Sequence, residues 1–391
     1  MPARSSRTRA ALYAGGFLGP FGGGMVVVLV PELRDAFGIS TSAASLALTA
    51  YLVPFAALQL VSGTIGERVG RARATRAAYV LYGLASLAAA AAGGYGAFLA
   101  ARAVQGVANA FTTPLVLAGL AESTPDASLG RAMGTFAAVQ TAGVVSAPLI
   151  GGLAGALDYR LAFVAAAAAA ALLAAVPVPG ARPRVSATDA PARLRDAVTP
   201  RTRWTAAAAF LAYLGVTGIG VVVALRAGDA FGLGPTGRGL LLAGFGAAGV
   251  VVGRPAGGAA DRYGAVRVTL AGAVPCVALV PLLGLAPGWP ALALGWIAVG
   301  VCSALVWAGL NVLTVGAAPA NRGGAVSLVG AFKFTGNALA PAMWLPLYVA
   351  HPRAAFAAAG AVSALLGAAT ARAGAVPPER RARARARQAA P

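Results

Sequence analysis

The chain is poor in the side chains that carry most enzyme chemistry. Its 391 residues include one histidine, two cysteines, one lysine and eleven acids, and charged residues make up 11% of it, against about 25% in an ordinary globular domain. The single histidine, His351 beside Pro352, excludes a histidine-rich metal site. The two cysteines, Cys276 and Cys302, lie in apolar stretches and read as small buried hydrophobes, which argues against a disulfide scaffold or a zinc site. No Ser-His-Asp set, metal cluster or phosphate-binding loop can be assembled. The chain is therefore expected to be no enzyme and to need no cofactor, and an ATP-driven pump is disfavoured on the same ground. A cleavable leader is not expected: residues 1–9 are basic, but the apolar segment after them is long enough to stay in a membrane.

What the chain does have is oil and arginine. Hydrophobic residues make up 59% of it and the mean hydropathy is +0.76. A water-soluble fold this apolar would have no surface to spare, so a membrane protein is the first reading. The net charge of +20, from 31 basic residues against 11 acids, would ordinarily raise nucleic-acid binding. Position decides between the two. A bilayer-crossing helix needs about 20 mostly apolar residues. Twelve such segments occur, near 10–31, 42–65, 75–94, 97–121, 132–156, 160–178, 204–226, 238–258, 268–287, 289–316, 324–348 and 353–373. With the N-terminus in the cytoplasm, 24 of the 31 basic residues fall on the cytoplasmic side and five outside, while Arg102 and Lys333 fall within spans. That is the positive-inside pattern. The excess charge is thus an orientation signal and no nucleic-acid partner is expected. The reading is an all-α, multi-pass protein of the plasma (inner) membrane with both termini cytoplasmic, its partner the lipid bilayer and its state monomeric.

The spans divide in two. Residues 179–203, rich in Pro, Arg, Ala and Asp, form a cytoplasmic linker between an N-terminal six-helix half (1–178) and a C-terminal one (204–373), and 374–391 is a basic cytoplasmic tail. The halves repeat at an offset of 194. Phe37-Gly38-Ile39 recurs as Phe231-Gly232-Leu233. Gly63, Glu67, Arg68 and Gly70 recur as Gly257, Asp261, Arg262 and Gly264, and Gly106 as Gly300. At an offset of 193, Gly143, Ala147 and Pro148 recur as Gly336, Ala340 and Pro341. Duplicated six-helix halves are a recurrent transporter plan, with the substrate site between them near mid-membrane.

Three motifs carry a family resemblance. Gly63-Thr-Ile-Gly-Glu67-Arg68-Val-Gly70-Arg71-Ala-Arg73 resembles the loop 2–3 signature of the major facilitator superfamily. Arg102-Ala-Val-Gln105-Gly106 resembles its span-four motif. Gly143-Val-Val-Ser-Ala147-Pro148-Leu-Ile-Gly151-Gly152 resembles the span-five motif of its 12-span drug:proton antiporters (multidrug efflux members). Glu67 stands where the family usually has Asp, and Ala147 where it usually has a second Gly. The resemblance implies two pseudo-symmetric six-helix bundles working by alternating access, with a proton gradient as driving force. It also implies that the loop after span two latches the cytoplasmic side. On that reading Glu67 meets the start of span eleven near Arg322, and Asp261 meets the start of span five near Arg131. Glycines and Pro148 of span five bend it and let it pack closely.

A cation inside a span is costly and usually faces a cavity. Arg102 is expected to serve coupling or an inter-helix network. Lys333 has two open readings, a cavity cation for an anionic or zwitterionic substrate, or a lysine reaching back to the cytoplasmic headgroups. Lys333 stands three residues before Gly336 as Gln140 stands three before Gly143, so both are expected to point into one cavity from opposite halves. Gln105, Asn109, Asn311 and Asn337 complete the candidate substrate cavity; Trp296, Trp307 and Trp344 are candidate walls, packing or lipid contact being the expected role of each taken alone. No acid sits at the centre of a span. Glu32 and Asp229 are the best proton carriers, with Glu122 near the inner end of span four, and Asp229 has an alternative role as the ion-pair partner of Arg226. The leading expectation is proton-coupled efflux of small amphipathic compounds. The alternative is uptake of a small nutrient, anionic in character, by a symporter or facilitator.

Overall fold

The computed structural model describes residues 2–123, 126–176, 197–318 and 322–376, with side chains outside 2–11, 63–64, 67–68, 117–118, 121–134, 137–138 and 322–323. The described residues contain fifteen α-helices and no strand. Helices α1 (Pro2–Gly24) and α2 (Val30–Phe37) bend by 61° across a short 3₁₀ turn and make up the first predicted span. Helices α3 (Thr41–Val69) and α4 (Arg71–Ala90) follow. The fourth span is broken into α5 (Tyr95–Ala110) and α6 (Thr113–Ser123), and α7 (Asp126–Gly155) and α8 (Arg160–Ala175) complete the first six. In the second half, α9 (Pro200–Leu211) runs through a π-helical turn, Ala212–Thr217, into α10 (Gly220–Asp229). Then come α11 (Pro235–Tyr263), α12 (Ala265–Leu285), α13 (Trp289–Ala317), α14 (Arg322–Ala350) and α15 (Pro352–Ala375). Within the described residues each of the twelve predicted apolar segments is thus mainly helical. Among the described residues six helices, or seven with the bent first pair, are long and apolar enough to cross a membrane. Most of the predicted linker and tail lies outside the described residues.

Short connections make successive spans antiparallel. One end of the molecule carries the α3–α4 and α11–α12 turns and the approach to the linker; it is called the linker end, and the other the far end. Two pairs of tight turns need a left-handed backbone that only glycine adopts without strain. They fall at Gly38 and Gly232 (φ 62° and 66°) at the far end and at Gly70 and Gly264 (φ 98° and 91°) at the linker end. Each pair is separated by 194 residues, so the sequence repeat is a repeat of backbone geometry.

It is also a repeat of packing. A side chain at Gly106 of α5 would strike the carbonyl of Tyr51 on α3, and one at Gly300 of α13 would strike the carbonyl of Phe245 on α11. Gly143 of α7 sits on the carbonyl of Phe17 in α1, and Gly336 of α14 on that of Phe210 in α9. Where lipid is as apolar as leucine, close backbone approach through small residues is what holds helices together. The repeated glycines therefore mark the helix crossings of each half.

Candidate functional site

The halves meet along two crossings, α7 on α11 and α3 on α14. Helix α7 uses two faces. Gly143, Ala147 and Gly151, spaced by four, lie against α1 and the 3₁₀ turn after it: Gly143 on Phe17, the Ala147 methyl on Gly24, Gly151 on the Met25 carbonyl of the turn. The other face meets the opposite half. Gly152 touches Pro235, Gly239 touches the Pro148 carbonyl, and Gly246 packs on Val145. The alanine in place of glycine at 147 is accommodated because Gly24 leaves room for its methyl.

Among the described residues the crossing is tight at the far end. Along α11, Gly239 and Gly246 are in close contact with α7, while a side chain added at Gly249, Gly253, Gly257 or Gly258 would meet nothing within 4 Å among the described residues. Helix α14 behaves likewise. Its outward face shows Phe332, Leu339 and Met343, as a lipid-facing stripe should. The opposite face is also open on the linker side, at Val326 (50% exposed), Gly330, Lys333 and Asn337, and becomes buried at Pro341 and Trp344. Two helices that touch at one end and part at the other enclose a crevice between the halves, open toward the linker end.

Among the described residues the closed end carries one ion pair across the halves. Arg238, at the start of α11, donates to Glu32 on α2, with side chains 5% and 17% exposed. The second carboxylate oxygen of Glu32 is buried without a hydrogen-bond partner among the described residues. Deeper in, the Thr49 hydroxyl of α3 donates to the Ala338 carbonyl of α14 at 3.0 Å, and Phe55 meets Phe334 edge-on with centroids 4.7 Å apart.

The candidate cavity residues divide. Lys333, Asn337 and Gln140 are half-buried, and Asn311 is exposed one turn beyond Trp307. The Lys333 ammonium stands within 5.0 Å of the Tyr213 ring centroid, 5.1 Å of Trp307 and 4.7 Å of Phe334. It makes no hydrogen bond or ion pair among the described residues, and the three rings are its described neighbours. Gln105 and Asn109 are a correction to the cavity assignment. Both are buried between helices of the first half, because their amides serve their own neighbours. Gln105 accepts from Arg102 Nη1 at 2.7 Å and donates to Ser86 at 2.7 Å. Asn109 accepts from the Thr112 hydroxyl at 2.9 Å. Trp296 and Trp344 are likewise core residues; the Trp344 indole donates to the Leu214 carbonyl at 2.8 Å.

Arg102 is wholly buried and has no carboxylate beside it. Its guanidinium donates to the carbonyls of Ala47 (3.2 Å) and Gly22 (3.4 Å) and lies 4.4 Å over the Tyr51 ring. It ties α1, α3 and α5 together. Asp229 does not pair with Arg226: it accepts from the Tyr348 hydroxyl at 3.2 Å, while Arg226 donates to the Ala286 carbonyl at 3.0 Å. Asp261 and Arg262 are exposed at the linker end, and Arg262 stacks on Tyr263. Arg71 is buried at the start of α4. Gly63 lies within α3, and the side chains of Glu67, Arg68, Glu122, Arg131 and Arg322 lie outside the described ones.

Sequence reasoning assigned Arg238 to topology alone and passed over Tyr213. An arginine at the far end, against the general charge bias and near an acid at the same depth, is a signal that could have found the first. Nothing in the sequence marks the π-helical turn that carries the second.

Two six-helix bundles with a crevice between them, an ion pair across the closed end and a cation in the middle define a membrane transporter. The family model described as Major Facilitator Superfamily matches residues 12–208 and again 205–391. The chain belongs to the major facilitator superfamily. Among curated proteins it is similar to an uncharacterized MFS-type transporter, EfpA, of Mycobacterium tuberculosis (26% identity over 141 residues, 36% of this chain). It is also similar to the drug efflux pump JefA of the same species (27% over 142 residues, 36% of this chain). The matched segments span 27% and 28% of those relatives' own length. Among solved structures, a bacterial homolog of the human lysosomal transporter Spinster, inward-facing and occupied, superposes with a TM-score of 0.77 at 16% identity, over 94% of this chain and 96% of that one. A D-xylose-proton symporter gives 0.75 at 17% identity, over 92% and 96%. These similarities carry the fold.

Proposed function

We propose that the protein is a monomeric, proton-coupled exporter of small amphipathic organic compounds in the plasma membrane, working by alternating access with both termini cytoplasmic. On this reading the linker end is the cytoplasmic end and the described state is inward-open. The observation that carries it is the wedge between the halves, clamped at the far end and parted at the linker end. Rocking one bundle on the other about the glycine-lined crossing of α7 and α11 opens the far end and closes the linker end.

The clamp offers a route for coupling. Glu32 is the described carboxylate that pairs across the halves, and its second oxygen is free to take a proton. Protonation removes the charge that holds Arg238 and so weakens the far-end closure, because an attraction between two opposite charges is replaced by a hydrogen bond from a cation to a neutral acid. Protonation of Glu32 thus biases the equilibrium toward the outward-open state, and deprotonation biases it toward the inward-open one. Similarity to a drug efflux pump supports the direction. Collapsing the proton gradient with a protonophore should raise retention of exported compounds in cells expressing the protein. Unchanged retention across a broad compound panel would sink the coupling.

A second reading, uptake of a small nutrient, is supported by Lys333 in the crevice and by the fold shared with a sugar-proton symporter. Accumulation of labelled substrate in proteoliposomes along an inward proton gradient separates it from export.

A further inference from the structure

We propose that Lys333, with the rings of Tyr213, Trp307, Phe334 and Phe55, forms the recognition site for an amphipathic organic anion, the ammonium pairing with a carboxylate-like group and the rings holding an apolar body. The proposal rests on the reading of the crevice as the substrate path.

Position comes first. Lys333 lies eleven residues into α14, about 16 Å from its linker end, and its face continues through Gly330 and Val326 into the open part of the crevice. It therefore sits where the parted and the clamped stretches of the interface meet. Phe55 comes from the other half and touches Phe334 at 4.7 Å, so an occupant here would contact both bundles.

Charge comes next. The Lys333 ammonium has three ring faces near 5 Å and pairs with no acid among the described residues. Helices α13 and α14 contain no Asp or Glu at all, and the acids of α3 and α10 stand at their ends, Glu67 and Asp229. Ring quadrupoles offset part of the cost of a desolvated cation, but a net positive charge remains. That charge repels cationic ligands and leaves an anionic group as the complementary occupant. The aromatic walls then supply the apolar contact that an amphipathic compound requires.

The framework adds a third observation. Tyr213 stands on the π-helical turn Ala212–Thr217, closed by Gly218 N–H on the Tyr213 carbonyl at 2.8 Å. Tyr213 meets Trp307 edge-on at 4.8 Å. Such turns occur mostly where a helix is adapted to a site. The box also departs from the repeat. Lys333, Tyr213, Trp307 and Phe334 correspond in the first half to Gln140, Pro20, Thr113 and Thr141. The glycine crossings are duplicated; the cation and its rings occur on one side only, as expected of a ligand site on a symmetric frame.

Purified protein in nanodiscs tests this by equilibrium binding of three isosteric probes, 1-naphthoic acid, its carboxamide and 1-naphthylmethylamine, at pH 7. The acid should bind at least tenfold more tightly than the amide and the amine. Lys333→Gln should remove that preference, and Lys333→Arg should keep it. Tyr213→Leu should weaken the acid several-fold while leaving its preference over the amide. Equal binding of acid and amide by the wild type, a preference for the amine, or an unchanged preference in a monodisperse Lys333→Gln protein would overturn the proposal. Binding does not depend on direction or coupling. Anion selectivity together with protonophore-insensitive retention would therefore leave this inference standing and remove the export reading. Protonophore-sensitive export of amines by a protein that does not favour the acid would do the reverse.

Discussion

The same helix junction is built twice in this molecule with different chemistry. In the first half, Gly106 lets α5 approach the Tyr51 carbonyl, and Arg102 lies over the Tyr51 ring. In the second half, 194 residues on, Gly300 lets α13 approach the Phe245 carbonyl, and Trp296 stacks on Phe245 at 4.6 Å. The backbone solution is shared, while the side-chain solution is a buried cation network on one side and a dry aromatic stack on the other. The far-end clamp is unequal too: Glu32 corresponds to Arg226 and Arg238 to Ala44, so the pair across the halves exists once, without a mirror image. Duplication thus supplies the crossings and turns, and function is written in the positions where the copies have diverged.

Exchanging the two solutions should produce the largest effects. Trp296→Arg places a cation beside Phe245 without the carbonyls and glutamine that serve Arg102. A cation in a span costs at least about 2.5–3.5 kcal/mol, so loss of monodisperse protein in size-exclusion chromatography is expected. Arg102→Met removes the charge but strands Gln105 and the carbonyls of Ala47 and Gly22. A loss of about 1–3 kcal/mol follows from leaving buried polar groups unpaired, visible as a lower thermal midpoint in detergent. If both variants behave alike, the halves are chemically interchangeable and the comparison fails.

The parts legible in sequence are those that depend on local pattern. Apolar length gave the spans, and the offset of 194 marked Gly70 and Gly264, whose backbone proves alike. What stayed hidden depends on which helix face meets which neighbour. Gln105 and Asn109 are polar within a span and so read as cavity residues, but polarity does not tell a cavity from a helix interface. Arg238 gained meaning only when the 61° bend between α1 and α2 brought Glu32 to it. The box around Lys333 needed three helices and a π-helical turn to become visible.

The clamp should respond more modestly than the buried network. Glu32→Gln keeps an acceptor for Arg238 but removes the charge, which weakens the far-end closure by about 1–2 kcal/mol. In a background with Cys276 and Cys302 changed to alanine, a cysteine at Thr49 should react faster with a membrane-impermeant maleimide in the Glu32→Gln protein. Proton-driven transport should fall while transport down a substrate gradient persists. An unaltered labelling rate would show that the glycine crossing alone holds the far end closed.

The smallest effects should fall where the halves are most alike. Gly38 and Gly232 have φ of 62° and 66°, and a methyl group added at either meets nothing within 4 Å. Replacement by alanine therefore costs only the backbone term, about 1 kcal/mol for an L-residue held in the left-handed region. Because both turns share geometry and surroundings, Gly38→Ala and Gly232→Ala should lower the thermal midpoint by the same small amount, and the double variant by their sum, since the two sites share no partner. A marked inequality would mean that one turn carries strain or motion that the other does not, so that even the duplicated frame differs between the halves.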